Sequence, residues 1–217
     1  MDFFLDSTDF DEIKRLNSFG IIDGLTTNPS LIYKAKTPFE ELIKNICNEI
    51  KGPVSVESVA DNSDLMIEEG VKLSKMAKNI VVKLPMTWDG IKACKELSSM
   101  NIKVNVTLCF STGQAILAAK AGATYISPFI GRLDDANIDG IELIREIKKI
   151  YSNYNFNTKI LAASIRTKNH ISQSAIAGAD VATIPPKVFD TLVNHNLTDK
   201  GLEIFNSDWE KSGQKIL

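Results

Sequence analysis

Histidine and cysteine are scarce in this chain of 217 residues, which holds two of the first and three of the second. His170 and His195 stand far apart and share no metal-ligand spacing, so a histidine-based zinc or iron site is not expected, and no metal is. Cys47, Cys94 and Cys109 are odd in number and widely separated. That argues against a disulfide framework and for free thiols in a reducing cytoplasm. Cys109 sits in an apolar, strand-like run and reads as a core thiol rather than a nucleophile. A charge excess is missing too. The 25 basic and 27 acidic residues leave a net charge of −2, which gives no electrostatic footprint for nucleic acid or an anionic membrane. No apolar run approaches the roughly 20 residues of a membrane span. Acids interrupt Met1-Asp2-Phe3-Phe4-Leu5-Asp6, where a secretory signal would be apolar. Linkers, low-complexity tracts and short repeats are lacking as well. The expectation is one cytoplasmic domain over 1–217.

Hydrophobic residues make up 44% of the chain, enough for a substantial core at this length. Short β-rich runs are expected at about 2–7, 24–28, 54–58, 80–84, 103–109, 125–130, 159–164 and 181–184. Helical patterns fall between them at 9–17, 38–50, 64–77, 89–100, 112–121, 139–151, 169–177 and 188–194. Thr37 is the expected N-cap of the second helix, with Pro38 at its first position. Gly122 and Gly178 fall where a C-terminal cap needs positive φ. Strands alternating one for one with helices argue for parallel βα units. The natural closure at this length is an α/β fold of the (β/α)8 TIM-barrel type. An open doubly wound sheet is the alternative, but no Gly-x-Gly-x-x-Gly turn follows the first strand. A polar, helix-like tail at about 198–217 carries Leu202, Ile204, Phe205 and Trp209 and has no strand to cover. It is expected to be an extra C-terminal helix that caps the barrel or docks on a neighbouring subunit.

Lys83 is the odd residue of this pattern. It stands in the apolar run Ile-Val-Val-Lys-Leu-Pro at 80–85, where burial disfavours an ammonium ion. A buried lysine can supply the neutral amine that attacks a ketone to form a Schiff base. The plainer reading is a strand-end lysine that snorkels to water or pairs with a carboxylate.

Its neighbours decide between the two. An active site in such a barrel lies at the carboxyl ends of the strands. Asp6 ends the first strand, Thr26 and Asn28 share parity at the end of the second, Glu57 ends the third and Lys83 the fourth. Asn105 and Thr107 share parity in the fifth, and Ser127 and Phe129 in the sixth, with Arg132 just beyond; Ser164 ends the seventh, followed by Arg166. A self-satisfied polar plug or an inert, water-filled mouth would be a poor use of a lysine and two acids on neighbouring strands. The set suits carbonyl chemistry. Lys83 attacks the ketone, Glu57 moves protons through a water that Thr107 holds, and Asp6 takes a proton from a substrate hydroxyl to drive C–C cleavage. Asn28, Asn105 and Ser127 suit polyol hydroxyls, while Arg132, Arg166 and Ser164 suit a phosphate. Removing Lys83 is expected to cost activity but little stability.

The stretches Phe-Leu-Asp-Ser at 4–7, Gly-Leu-Thr-Thr-Asn-Pro-Ser at 24–30, Ile-Val-Val-Lys-Leu-Pro at 80–85, Asn-Val-Thr-Leu-Cys-Phe-Ser at 105–111, Ser-Pro-Phe-Ile-Gly-Arg at 127–132 and Ala-Ala-Ser-Ile-Arg-Thr at 162–167 together resemble the transaldolase family. The resemblance is to its small branch, which also holds fructose-6-phosphate aldolase, and it runs in order along nearly the whole chain. It implies a (β/α)8 barrel with Lys83 as the Schiff-base lysine, Asp6 as the acid/base of C–C cleavage, and Glu57 with Thr107 on a catalytic water. It also implies a dihydroxyacetone unit passed from a ketose phosphate, such as fructose 6-phosphate or sedoheptulose 7-phosphate, to an aldose phosphate in the pentose phosphate pathway. No cofactor is implied. The small members tend to be homo-oligomers, pentamers or decamers, whose C-terminal helix reaches a neighbour. Glu57 and Phe129 resemble the transaldolase pattern, where the aldolases look to have Gln and Tyr. Transfer is therefore expected over release of free dihydroxyacetone, and both over a non-catalytic sugar-phosphate-binding barrel. The long extensions of larger transaldolases are absent from the pattern.

Overall fold

In the computed structural model, which describes residues 1–216, strands and helices alternate along the chain. The order is β1 (Asp2–Asp6), α1 (Phe10–Asn17), β2 (Gly24–Thr26), α2 (Pro29–Ala35), α3 (Phe39–Glu49), β3 (Val54–Glu57), α4 (Ser63–Met76), β4 (Ile80–Pro85) and α5 (Trp88–Ser99). There follow β5 (Val104–Cys109), α6 (Thr112–Ala121), β6 (Tyr125–Pro128), α7 (Ile130–Asp135), α8 (Gly140–Tyr154), β7 (Lys159–Ala162), α9 (Lys168–Ala177), β8 (Val181–Ile184), α10 (Pro186–Phe189) and α11 (Asn196–Ser212). Each strand pairs in parallel with the next, and β8 pairs with β1, which closes an eight-stranded barrel.

Strand alternation gives this barrel two apolar layers. Outward residues such as Leu25, Val56, Val82, Leu84, Val106 and Ile126 pack with Ile13, Ile43, Ile46, Leu97 and Ile144 of the helices in one continuous core. Inward Phe4, Val81, Tyr125, Leu161, Ala163 and Val181 form a second cluster inside the barrel. Phe4 meets Tyr125 edge to face, with ring centroids 5.9 Å apart. Gly24 makes room for this floor, because a Cβ there would lie 2.6 Å from the Phe4 ring. On four of the strands the next inward position is polar, Asp6 after Phe4, Lys83 after Val81, Ser127 after Tyr125 and Thr183 after Val181, whereas Ala163 after Leu161 stays apolar.

The (β/α)8 expectation holds, and so do Gly122 and Gly178, whose φ angles are 91° and 92° at the C-caps of α6 and α9. Several details differ. Pro38, not Thr37, is the N-cap of α3, and the Thr37 hydroxyl instead donates to the Ala35 carbonyl. Two helices were not foreseen. In α2 no residue is buried, so it has no apolar stripe to read; it starts because Asn28 caps it and Pro29 opens it. With only six residues, α7 is too short to show a period. The eighth helix lies at Pro186–Phe189, earlier and shorter than 188–194, because Pro185 and Pro186 start it at once. The extra C-terminal helix is present as α11, and it buries none of its side chains. Among the described residues no helix is long and apolar enough to cross a membrane.

Candidate active site

Adjacent strands bring the acids and the lysine to one level. Asp6 is in register with Thr26, Glu57 with Lys83, and Lys83 with Asn105. A cavity of about 290 Å3 opens above them. Asp6, Thr26, Asn28, Lys83, Thr107, Ser127, Phe129, Arg132, Ser164 and Arg166 all line it, with Leu161, Ala163, Thr183 and Pro185 completing the wall.

Lys83 is 5% exposed at the base of this cavity. Its Nζ lies 2.9 Å from Glu57 Oε2 and donates to the Thr27 carbonyl at 3.0 Å. Thr27 is itself anchored, since its N–H and its hydroxyl both donate to the Ser55 carbonyl at 2.9 Å. Glu57 does not line the same cavity. It reaches Lys83 from a neighbouring one of about 490 Å3, lined by Ile32, Phe39, Val59, Glu69 and Met76 among others. A buried ammonium needs a paired anion and hydrogen-bond acceptors, and here both are present.

Asp6 lines the same cavity as the lysine. The Thr26 hydroxyl donates to Asp6 Oδ1 at 2.9 Å and lies 2.6 Å from the Thr183 hydroxyl. Thr26 has one hydrogen to give, so Thr183 donates to Thr26 and Thr26 to Asp6. Burial pushes the Asp6 carboxyl above its ordinary value; the Lys83 charge and the Thr26 bond pull the other way, and Glu57 adds to the rise. Thr107 Oγ1 is buried without any hydrogen-bond partner. It follows Lys83 by one position in the level of the wall, in register with Pro85. Just after it the pairing of β5 with β6 shifts register, and Leu108 takes a left-handed φ of 60°. An orphaned hydroxyl facing a polar cavity is a place for a water or a substrate oxygen.

The remaining expected residues divide. Asn105 is 0% exposed and does not line the cavity. Its amide donates to Ser55 Oγ at 3.2 Å and accepts from the Ser127 hydroxyl at 2.8 Å, so it braces the layer beneath. Asn28 lines both cavities, and its Oδ1 accepts from the Leu31 N–H as the cap of α2. The Phe129 ring packs edge to face on Phe110 at 5.9 Å, and the Arg132 guanidinium lies over it at 4.9 Å. Arg132 and Arg166 are both exposed at the rim, and Arg166 Nη2 donates to Asp135 Oδ2 at 2.9 Å. Ser164 takes a left-handed φ of 61° between them.

Thr183, Ser55 and the Thr27 carbonyl also contribute, beyond the residues expected from sequence. Thr183 and Ser55 share parity with Val181 and Glu57, so strand alternation could have found them. The Thr27 carbonyl had no signal, because every residue carries one.

A closed parallel eight-stranded barrel with a buried lysine, a carboxylate on the same cavity wall and a second paired to that lysine, below a rim of arginines, has the architecture of a barrel enzyme. The family model described as transaldolase/fructose-6-phosphate aldolase matches residues 3–216. The chain belongs to that family. A protein of Dinoroseobacter shibae named "Probable transaldolase" is 60% identical over all of both chains. One of Paracoccus denitrificans with the same name is 61% identical, again over the whole of both. Among solved structures, a thiamine phosphate pyrophosphorylase from Pyrococcus furiosus aligns over 85% of each chain with a TM-score of 0.57 and 16% identity. A flavocytochrome b2 mutant with pyruvate bound aligns over 98% of this chain and 64% of its own, with a TM-score of 0.62 and 15% identity. These last two share the fold alone.

Proposed function

We propose that this chain is a transaldolase that carries a dihydroxyacetone unit between sugar phosphates as a Schiff base on Lys83. The observation that carries this reading is the position of Lys83 Nζ, deep in the cavity and within 2.9 Å of Glu57, with Asp6 also on the wall. Glu57 takes a proton from the ammonium, and the freed amine adds to the ketone of fructose 6-phosphate or sedoheptulose 7-phosphate. Glu57 then moves protons through a water at the orphaned Thr107 hydroxyl as the carbinolamine loses water. Asp6 accepts the proton of the hydroxyl next to the scissile bond. That C–C bond breaks, the aldose phosphate leaves, and the bond's electron pair passes into the iminium to give an enamine. The enamine attacks the aldehyde of erythrose 4-phosphate or glyceraldehyde 3-phosphate, and the same steps in reverse free the new ketose. Thr26, Asn28 and Ser127 meet the hydroxyls, with Asn105 holding Ser127 from below. Arg132, Ser164 and Arg166 take the phosphate. The exchange is one of the pentose phosphate pathway and needs no cofactor in this scheme.

Phe129 places a hydroxyl-free ring on the cavity wall, which supports transfer over release of the bound unit. The test is incubation with fructose 6-phosphate and erythrose 4-phosphate. Sedoheptulose 7-phosphate without free dihydroxyacetone is expected; free dihydroxyacetone as the main product would make the chain an aldolase, and no turnover would sink both.

The chain is also proposed to work as a homo-oligomer, a pentamer or decamer. The support is α11, which leaves Leu197, Leu202, Ile204, Phe205 and Trp209 exposed. Light scattering should give a mass of five or ten chains, and a monomer would contradict it.

A further inference from the structure

The two arginines of the rim sit on separate segments, Arg132 in α7 and Arg166 in the loop between β7 and α9. Consecutive carboxylates of α7 join them. Asp135 Oδ2 accepts from Arg166 Nη2 at 2.9 Å. Asp134 Oδ2 lies 2.9 Å from His170 Nε2, and its Oδ1 accepts from the Gly140 N–H at 3.0 Å. His170 Nδ1 in turn accepts the backbone N–H of Arg166 at 3.2 Å. An imidazole that accepts at Nδ1 and faces a carboxylate at Nε2 satisfies both contacts in one form, neutral with its hydrogen on Nε2. The two segments also approach closely. A Cβ on Gly131 would lie 2.1 Å from the Ser164 carbonyl oxygen and 2.8 Å from Arg166 Cγ. The Arg166 loop starts from the left-handed Ser164, a conformation that a non-glycine residue keeps only when its surroundings hold it.

We propose that His170, oriented by Asp134, is a positioning residue that fixes the Arg166 backbone and so sets the spacing of Arg132 and Arg166 for the phosphate of the substrate. The inference rests on the reading of these arginines as a phosphate clamp. Asp135 takes one hydrogen of the Arg166 guanidinium and leaves its other donors for the anion. His170 touches neither the ketone nor Lys83, so its effect falls on binding rather than on bond breaking.

Three substitutions separate this role from simple anchoring of α9. In His170→Asn the amide oxygen stands where Nδ1 accepts from Arg166. In His170→Gln the amide NH2 stands where Nε2 faces Asp134. His170→Phe keeps neither. KM and kcat for fructose 6-phosphate, and competitive inhibition by inorganic phosphate, are measured for each beside Arg166→Ala. The Phe enzyme should raise KM about tenfold and weaken phosphate inhibition by the same factor, with kcat nearly unchanged. Asn should restore most of the loss and Gln little. Rescue by Gln and not by Asn would overturn the proposal, as would a fall in kcat at unchanged KM. If the Phe enzyme fails to fold, the contrast of Asn with Gln still decides. A raised KM in Arg166→Ala beside an unchanged one in all His170 variants would overturn this inference alone. An unchanged KM in Arg166→Ala would overturn the clamp and the inference together.

Discussion

Lys83 and Glu57 are direct neighbours across β3 and β4, in register and joined Nζ to Oε2 at 2.9 Å. Lys83 is thus a structural partner of Glu57 as well as the proposed nucleophile. Lys83→Met leaves the Glu57 carboxylate without its cation in a largely buried place. The expected cost is about 3 kcal/mol, at the lower end for broken buried pairs because Glu57 keeps some solvent contact. The expectation from sequence is a small cost; the Glu57 pair is the reason to expect a larger one. Lys83→Met with Glu57→Gln should recover most of that stability while remaining inactive. Urea unfolding of the two variants checks it; equal stability of single and double variants would contradict it.

The Thr107 hydroxyl gives the opposite sign. It is buried and bonded to nothing, so Thr107→Val removes an unmet polar group without opening a cavity. Stability is expected to hold or to rise by about 1 kcal/mol, while kcat falls about 100-fold with the loss of a water-holding group. Thermal melts and steady-state kinetics on the same preparation test this. A destabilised, fully active variant would refute it.

Asp6 should show itself in pH dependence. Its carboxyl is raised above the ordinary 3.8 in the free protein, chiefly by burial. The folded state therefore holds this proton to higher pH than the unfolded chain does. The stability this confers is full below 3.8 and is lost as pH rises through the raised value. Asp6→Asn should accordingly be more stable than the parent at neutral pH, with the difference shrinking toward acid. In its proposed role as the base of C–C cleavage Asp6 has to be ionised, so the acid limb of kcat/KM should lie above 3.8 and vanish in Asp6→Asn, whose rate falls about 100-fold or more. A variant less stable at neutral pH, or one that keeps the limb, would contradict the assignment.

Phe129→Tyr probes transfer against release. The ring lines the cavity beside Arg132, and a new hydroxyl would reach the bound unit or its water. The fraction of free dihydroxyacetone should rise several-fold at little cost in stability, as read by product chromatography. An unchanged product ratio would count against Phe129 as the residue that favours transfer.

The barrel was legible because every strand alternates between residues for the helices and residues for the interior, as Val82 and Lys83 do. The site was legible for the same reason: Asp6, Thr26, Lys83, Thr107 and Ser127 are polar residues at inward positions, and all line one cavity. Parity gives the direction of a side chain but not its depth, so it could not place Asn105 beneath the cavity. Nor could it tell that Glu57 approaches from the neighbouring cavity. Asn28 reads as a ligand and also serves as a helix cap, two uses of one amide that a motif does not separate. The positioning role proposed for His170 leaves no trace in the sequence, because its partners are one carboxylate from α7 and one backbone N–H, and neither leaves a spacing to find.

The central claim is a covalent bond between Lys83 and the substrate. Protein mixed with fructose 6-phosphate, reduced with borohydride and digested should yield one modified peptide, carrying a three-carbon adduct on Lys83. The adduct should be missing when the ketose is omitted and in Lys83→Met. An adduct on another lysine, or none during active turnover, would contradict the account.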